Sequence, residues 1–136
     1  CDGFGSSLSC PPYSPHPKDT SKMLSEYSAA LLFQIAEVPP EKEREVSSGI
    51  RDFVVELERE MFLEGYYKAF GMCSGPCRIC KICDFENGCR YPQRARPAME
   101  ACGIDVYSTA RNNGFHLQVV KKVDAKCSLH GMVLIE

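Results

Sequence analysis

The apolar positions of the chain fall into runs of two kinds, and these runs predict its main elements. Residues 29–36, Ala-Ala-Leu-Leu-Phe-Gln-Ile-Ala, are almost continuously apolar over the length of a strand. Such a run predicts a buried strand, with a helical extension as the competing reading. Further on, Val46, Ile50, Phe53, Val54, Leu57 and Met61 recur at steps of three and four, which makes one apolar stripe along a helix. Pro39 and Pro40 suit the start of that helix, because proline is tolerated in a first turn, and Glu41, Glu43 and Glu45 suit its positive end. The stripe predicts a helix reaching Phe70, about 45 Å long at about 1.5 Å per residue, with Gly71 as its stop.

The remaining elements are shorter. Residues 1–18 carry Gly3, Gly5 and the prolines 11, 12, 15 and 17, so neither a helix nor a central strand is expected there. Asp19 or Thr20 can cap a short helix running to Tyr27. Residues 92–101 read as another short helix ending near Gly103, and Asp105 can cap a further one that Asn113-Gly114 terminates. Residues 115–123 are rich in valine and partly alternate, and residues 132–135 form a second short apolar strand, so the two are expected to pair across the polar link 124–131. Strands separated by helices early and adjacent late predict an α+β fold. The expected form is a small sandwich of a short, largely antiparallel sheet with helices and a cysteine-rich cluster-binding loop.

Composition narrows the function classes. The 136 residues, with an ordinary share of apolar and charged side chains, suffice for one domain, 1–136, with a modest core. A formal net charge of -2 lacks the electrostatic footprint of a nucleic-acid binder, so no nucleic-acid partner is expected. No stretch approaches the roughly 20 apolar residues of a membrane span, and the first residues lack the regions of a signal peptide. A soluble, cytoplasmic protein without membrane association is expected. The chain opens on Cys1 rather than Met, which predicts that residues, a ligand among them, are missing upstream.

Nine cysteines are many for this length, and an odd number leaves at least one thiol outside any intramolecular disulfide scheme. Five of them, Cys73, Cys77, Cys80, Cys83 and Cys89, lie close together, a spacing that suits metal binding better than disulfide staples. Cys77, Cys80 and Cys83 are separated by two-residue gaps, which let consecutive thiolates wrap the corners of a cluster while intervening amides point at its sulfides. Cys89 follows, with Pro92 soon after, as in the bacterial ferredoxin run, although the gap is longer. Cys77, Cys80, Cys83 and Cys89 are therefore the expected ligands of a 4Fe-4S cluster. Zinc competes, because four thiolates also satisfy its tetrahedral geometry, but its ligands usually come as two separated pairs. The spacing of Cys73, Cys77 and Cys80 also matches that of radical enzymes using S-adenosylmethionine, but the βα units such enzymes need are absent.

Cys1 and Cys10 stand in the opening loop, either as simple loop thiols or as part of a second metal site with Cys73 and a cysteine lost upstream. Cys102 and Cys127 read as structural or free thiols. Arg78, Lys81, Arg90, Arg94 and Arg96 surround the motif, either as a solvated basic face or as cations that favour a reduced cluster or recruit an acidic redox partner. His16, His116 and His130 lack recognisable catalytic partners. There is no phosphate-binding glycine loop, nucleophile elbow or paired-carboxylate site, so no reaction is assigned and enzymatic activity is left open.

Three segments carry a resemblance: Ser9-Cys10-Pro11-Pro12-Tyr13-Ser14-Pro15; Gly75-Pro76-Cys77-Arg78-Ile79-Cys80; and Cys89-Arg90-Tyr91-Pro92, leading through Ala95-Arg96-Pro97-Ala98-Met99-Glu100-Ala101 to Gly103-Ile104-Asp105-Val106. Together they resemble a domain-of-unknown-function family of predicted metal-binding proteins found mainly in anaerobic prokaryotes. Members tend to have a further cysteine just before the position of Cys1. The resemblance implies metal binding through these cysteines in an anaerobic, cytoplasmic setting, and it implies no particular reaction. The combined expectation is a small iron-sulfur protein that carries or relays electrons to a redox partner protein. A structural zinc-binding interaction module and an iron-sulfur enzyme with a substrate-binding cluster are the alternatives.

Overall fold

A computed structural model describes residues 3–117, 119, 120, 122 and 124–136. Its elements in chain order are α1 (Pro17–Leu24), β1 (Ala29–Val38), a 3₁₀ turn (Pro40–Lys42), α2 (Glu43–Leu63), β2 (Phe70–Met72), a second 3₁₀ turn (Glu100–Cys102), α3 (Val106–Asn112) and β3 (Cys127–Ile135). The three strands form one antiparallel sheet in the order β1-β3-β2. Ala29 to Ile35 pair with Ile135 to Leu129, and Phe70, Gly71 and Met72 pair with Leu134, Val133 and Met132. Past Ile35 the register shifts, and there Glu37 adopts a φ of 57°.

Because β3 is central, its side chains are covered on both faces. Val133 joins Ile50, Val54 and Cys73 under α2, with Phe33, Val46, Leu57 and Leu129 alongside. Met132 and Leu134 point the other way, into a cluster with Met72, Met99 and Cys102 that α1, the second 3₁₀ turn and α3 cover. The result is an α+β sandwich. Two glycines permit its close contacts. A Cβ on Gly71 would overlap Val54, and one on Gly131 would overlap the Phe33 ring. Among the described residues no helix is long and apolar enough to cross a membrane.

Several boundaries differ from those predicted. The helix begins as expected after Pro39, but α2 has 21 residues and ends at Leu63, which makes it about 32 Å long at about 1.5 Å per residue. Gly65, at a φ of 102°, turns the chain, and Gly71 lies within a strand instead of stopping a helix. The cap of α1 is His16, whose Nδ1 accepts from the Lys18 amide at 3.3 Å, because Pro17 already occupies the first turn. Residues 92–101 form turns and only one 3₁₀ turn, closed by Gly103 at a φ of 82°. Asp105 does cap α3, and Gly114, at a φ of 81°, follows its end.

The expected hairpin is absent among the described residues. The strand is 127–135, longer than the predicted 132–135, and its partners are β1 and β2. The described part of 115–123 has no strand assignment, and Val119 and Val120 are exposed; residues 118, 121 and 123 lie outside the described residues.

Candidate metal centre

The cysteine segment leaves the sheet at Cys73 and returns beside it. The Cys73 amide donates to the Pro97 carbonyl at 2.8 Å and the Met99 amide to the Cys73 carbonyl at 3.3 Å, so the two ends of the loop meet at a parallel bridge between Cys73 and Ala98. α2 holds the loop at four further points. The buried Ser47 hydroxyl donates to the Ser74 carbonyl at 2.8 Å, and Arg78 donates to both Glu43 oxygens at 3.1 Å. Arg94 donates to Asp52 at 2.8 Å, and Arg96 forks onto Glu58. The Glu58 hydrogen bond raises the Arg96 pKa above its ordinary value, against the effect of burial.

Within the loop, Asp84 organises a turn. Its carboxylate accepts from the Asn87 amide at 3.0 Å and from the Asn87 side chain at 3.1 Å, which holds its pKa below the usual range. Arg90 closes the turn through Asp84 at 3.3 Å and the Ile82 carbonyl at 3.1 Å. The opening loop packs against this segment. The Tyr13 and Phe85 rings lie 5.2 Å apart, and the Ser14 hydroxyl donates to the Ala101 carbonyl at 2.6 Å.

Cys77, Cys83 and Cys89 line a cavity of about 340 Å³ whose other walls include Leu8, Tyr13, Phe70 and Pro92. Cys77, Cys80 and Cys83 line a second hollow of about 400 Å³, with Ser6, Arg44 and Lys81 at its sides. The two share Cys77 and Cys83. All four thiols are free, three of them half-buried and Cys89 exposed.

The other cysteines lie elsewhere. Cys73 is in the core beneath α2 and lines neither hollow; burial pushes its thiol up to about 12, despite the opposing pull of Arg51 and Arg96. Cys10 is buried beside Gly3, Pro11, Gly75 and Pro76 around a separate cavity of about 210 Å³. Cys1 lies outside the described residues. Cys102 is a core thiol pushed up to about 11 by burial, and Cys127 is half-buried on β3, its pKa also raised by burial. None of the three histidines lines either hollow.

Four free thiols suit a thiophilic metal, zinc and an iron-sulfur cluster alike. They line the two hollows, Cys77 and Cys83 both of them, Cys80 one and Cys89 the other. Among the described residues no three His, Cys, Asp or Glu side chains stand close enough together to hold a metal ion. Across residues 75–85 no backbone amide donates a hydrogen bond within the described residues. None of these residues is buried, so water satisfies such amides.

Sequence reasoning could not find the acidic partners of the arginines. Arg78, Arg90, Arg94 and Arg96 each meet a carboxylate, so the expected basic face is largely neutralised within the chain. It also missed Leu8 and Phe70 as cavity walls, since nothing in their local sequence marks them. A model of the family described as "Predicted metal-binding protein (DUF2284)" matches residues 1–135, and the chain therefore belongs to that family. No curated protein matches the chain, and no solved structure matches it.

Proposed function

Starting from membership of a family of predicted metal-binding proteins, we propose that Cys77, Cys80, Cys83 and Cys89 hold a 4Fe-4S cluster and that the protein carries electrons. The observation that carries this reading is the sharing of Cys77 and Cys83 by two hollows whose remaining thiols are Cys80 and Cys89. When bound, such a cluster accepts and releases single electrons.

The chain's own residues have defined parts. The four thiolates ligate, and Tyr13, Phe70 and Pro92 exclude water from one side. Arg44 and Lys81, beside the second hollow, make no ion pair among the described residues and provide positive charge to steer an acidic redox partner.

Anaerobic purification followed by iron, sulfide and zinc analysis, with electron paramagnetic resonance of the reduced protein, tests the proposal. Iron and acid-labile sulfide in equal amounts, lost on substituting any of the four cysteines, is the expected result. Stoichiometric zinc without iron would overturn it in favour of a structural zinc module. A second reading, a cluster that binds substrate at an open iron, is favoured by the exposure of Cys89 on the cavity wall. A Cys89→Ser variant that keeps its cluster and binds small ligands at it would support that reading.

A further inference from the structure

β1 is an edge strand, and β3 pairs with only one of its sides. Among the described residues no backbone group of β1 bonds to anything but β3, so a row of amides and carbonyls stands unpaired along its outer side. Long edges of this kind are ordinarily blunted by a charge, a proline or a bulge. Residues 29–36 carry no charge and no proline, and the register shift and Glu37 come only after Ile35.

The same strand exposes an apolar strip. Leu31, Phe33 and Ile35 share the α2 face of the sheet, where they stand opposite Val133, Gly131 and Leu129. α2 packs on β3 and β2, which leaves Leu31 44% and Ile35 41% exposed. The Phe53 ring of α2 meets Phe33 edge-on at 5.1 Å and is itself exposed, so it borders the strip. Covering the edge and the strip together takes a partner that brings both a strand and an apolar face.

A second copy of the chain brings both. Antiparallel pairing about a two-fold axis at Phe33 sets Leu31 against Ile35 of the other copy, Leu32 against Gln34 and Ala30 against Ala36, with Phe33 against its counterpart. No charge then faces a like charge, because the nearest one, Glu37, falls opposite Ala29 and is already paired with Lys126 at 3.1 Å.

We propose that the chain forms a two-fold dimer through the outer edge of β1, with one six-stranded sheet in the order β2-β3-β1-β1-β3-β2. Phe33 and Phe53 of both copies centre the apolar contact. The two β2 strands, each leading into a cysteine segment, lie five strand spacings apart, about 24 Å, so both cysteine segments stay at the outer ends. The dimer depends on neither the metal nor its ligands.

The test is sedimentation of the anaerobically purified chain over a range of concentrations, in a reducing buffer that removes disulfide-linked pairs. The wild-type chain should run at twice the mass of one chain and dissociate on dilution. Leu31→Glu combined with Ile35→Glu sets like charges opposite each other twice and should weaken the dimer about tenfold or more. Leu31→Lys combined with Ile35→Glu sets opposite charges at the same two pairs and should restore it. Both side chains are exposed in the single chain, and circular dichroism checks that the variants fold. Hydrogen exchange of the wild-type chain needs no variant: amides of residues 29–36 should exchange more slowly as concentration rises. A wild-type chain that is monomeric at every concentration, as it would be if β1 received a different protein, would overturn the proposal. A dimer unmoved by the paired glutamates, or one that the lysine and glutamate pair fails to restore, would overturn the pairing about Phe33.

Discussion

Replacing Glu58 by glutamine removes the charge that joins three parts of the molecule. The carboxylate accepts from the Gly71 amide of β2 and from Arg96 through Nε and Nη2, so it ties α2 both to the strand entering the cysteine loop and to the segment leaving it. The two side chains are only 17% and 16% exposed. Breaking a buried pair typically costs about 3–5 kcal/mol, because the remaining charge loses its partner. Arg96 keeps the Pro92 and Ala95 carbonyls, so the lower end, about 3 kcal/mol, applies to Glu58→Gln. For a chain of this size that is about 10 °C of melting temperature. Urea unfolding followed by circular dichroism, on Glu58→Gln, Arg96→Met and the double variant, gives the coupling between them, with about 2 kcal/mol expected. A coupling below about 0.5 kcal/mol would refute the reasoning and reduce the pair to a surface contact.

Three further outcomes follow from the same geometry. In stripped protein at pH 8, iodoacetamide should label Cys77, Cys80, Cys83 and Cys89 and spare Cys73 and Cys102, whose thiols are pushed up to about 12 and about 11 by burial, and metal should protect the first four; peptide mass mapping reads this directly. His130 is buried with Gln34 Nε2 at 3.1 Å from its Nε2, and burial lowers its pKa, so the unfolded chain binds its proton more readily. Stability should fall as pH drops below the unfolded value of about 6.5 towards the lower folded value, and His130→Gln should flatten that slope in melting curves. Gly71→Ala should cost about 2 kcal/mol in urea unfolding, because the new methyl overlaps Val54 and comes within 2.9 Å of Glu58 Oε2.

How much of this was legible in the sequence depended on whether the signal was local. The start of α2 after Pro39, a strand at 29–36 and the Asp105 cap are local signals, and the structure contains them, although the strand lies at the sheet edge with none of 29–36 buried, where a buried strand was expected. β2 has three residues, too few to display a period, and its glycine looked like a helix stop. β3 was hidden in part because His130 and Gly131 interrupt it, and a central strand buried on both faces does not alternate. The valines before it imitated a strand, and the described residues of 115–123 form none. Spacing singled out Cys77, Cys80, Cys83 and Cys89, and the structure places them along two hollows that share Cys77 and Cys83. The burial of Cys73 in the core was not readable, because it depends on α2 covering that residue from a distance in sequence. The carboxylates that neutralise Arg78, Arg94 and Arg96 lie 35 to 42 positions away, beyond the reach of any local pattern.

The bridge between Cys73 and Ala98 has a consequence for how metal is acquired. It joins the two ends of the loop through backbone hydrogen bonds that require no thiolate, and α2 fastens the same ends through Ser47 and Glu58. Closing a loop restricts the chain whichever bond closes it. Here the scaffold imposes that restriction in advance, so on the proposed ligand set the four thiols would meet an incoming metal at a raised effective concentration. In coordination terms that set would belong to a chelator whose loop ends are closed beforehand, distinct from a peptide that folds only around its ion. Its metal should therefore exchange by local opening of residues 74–97, with the sheet and α2 intact throughout.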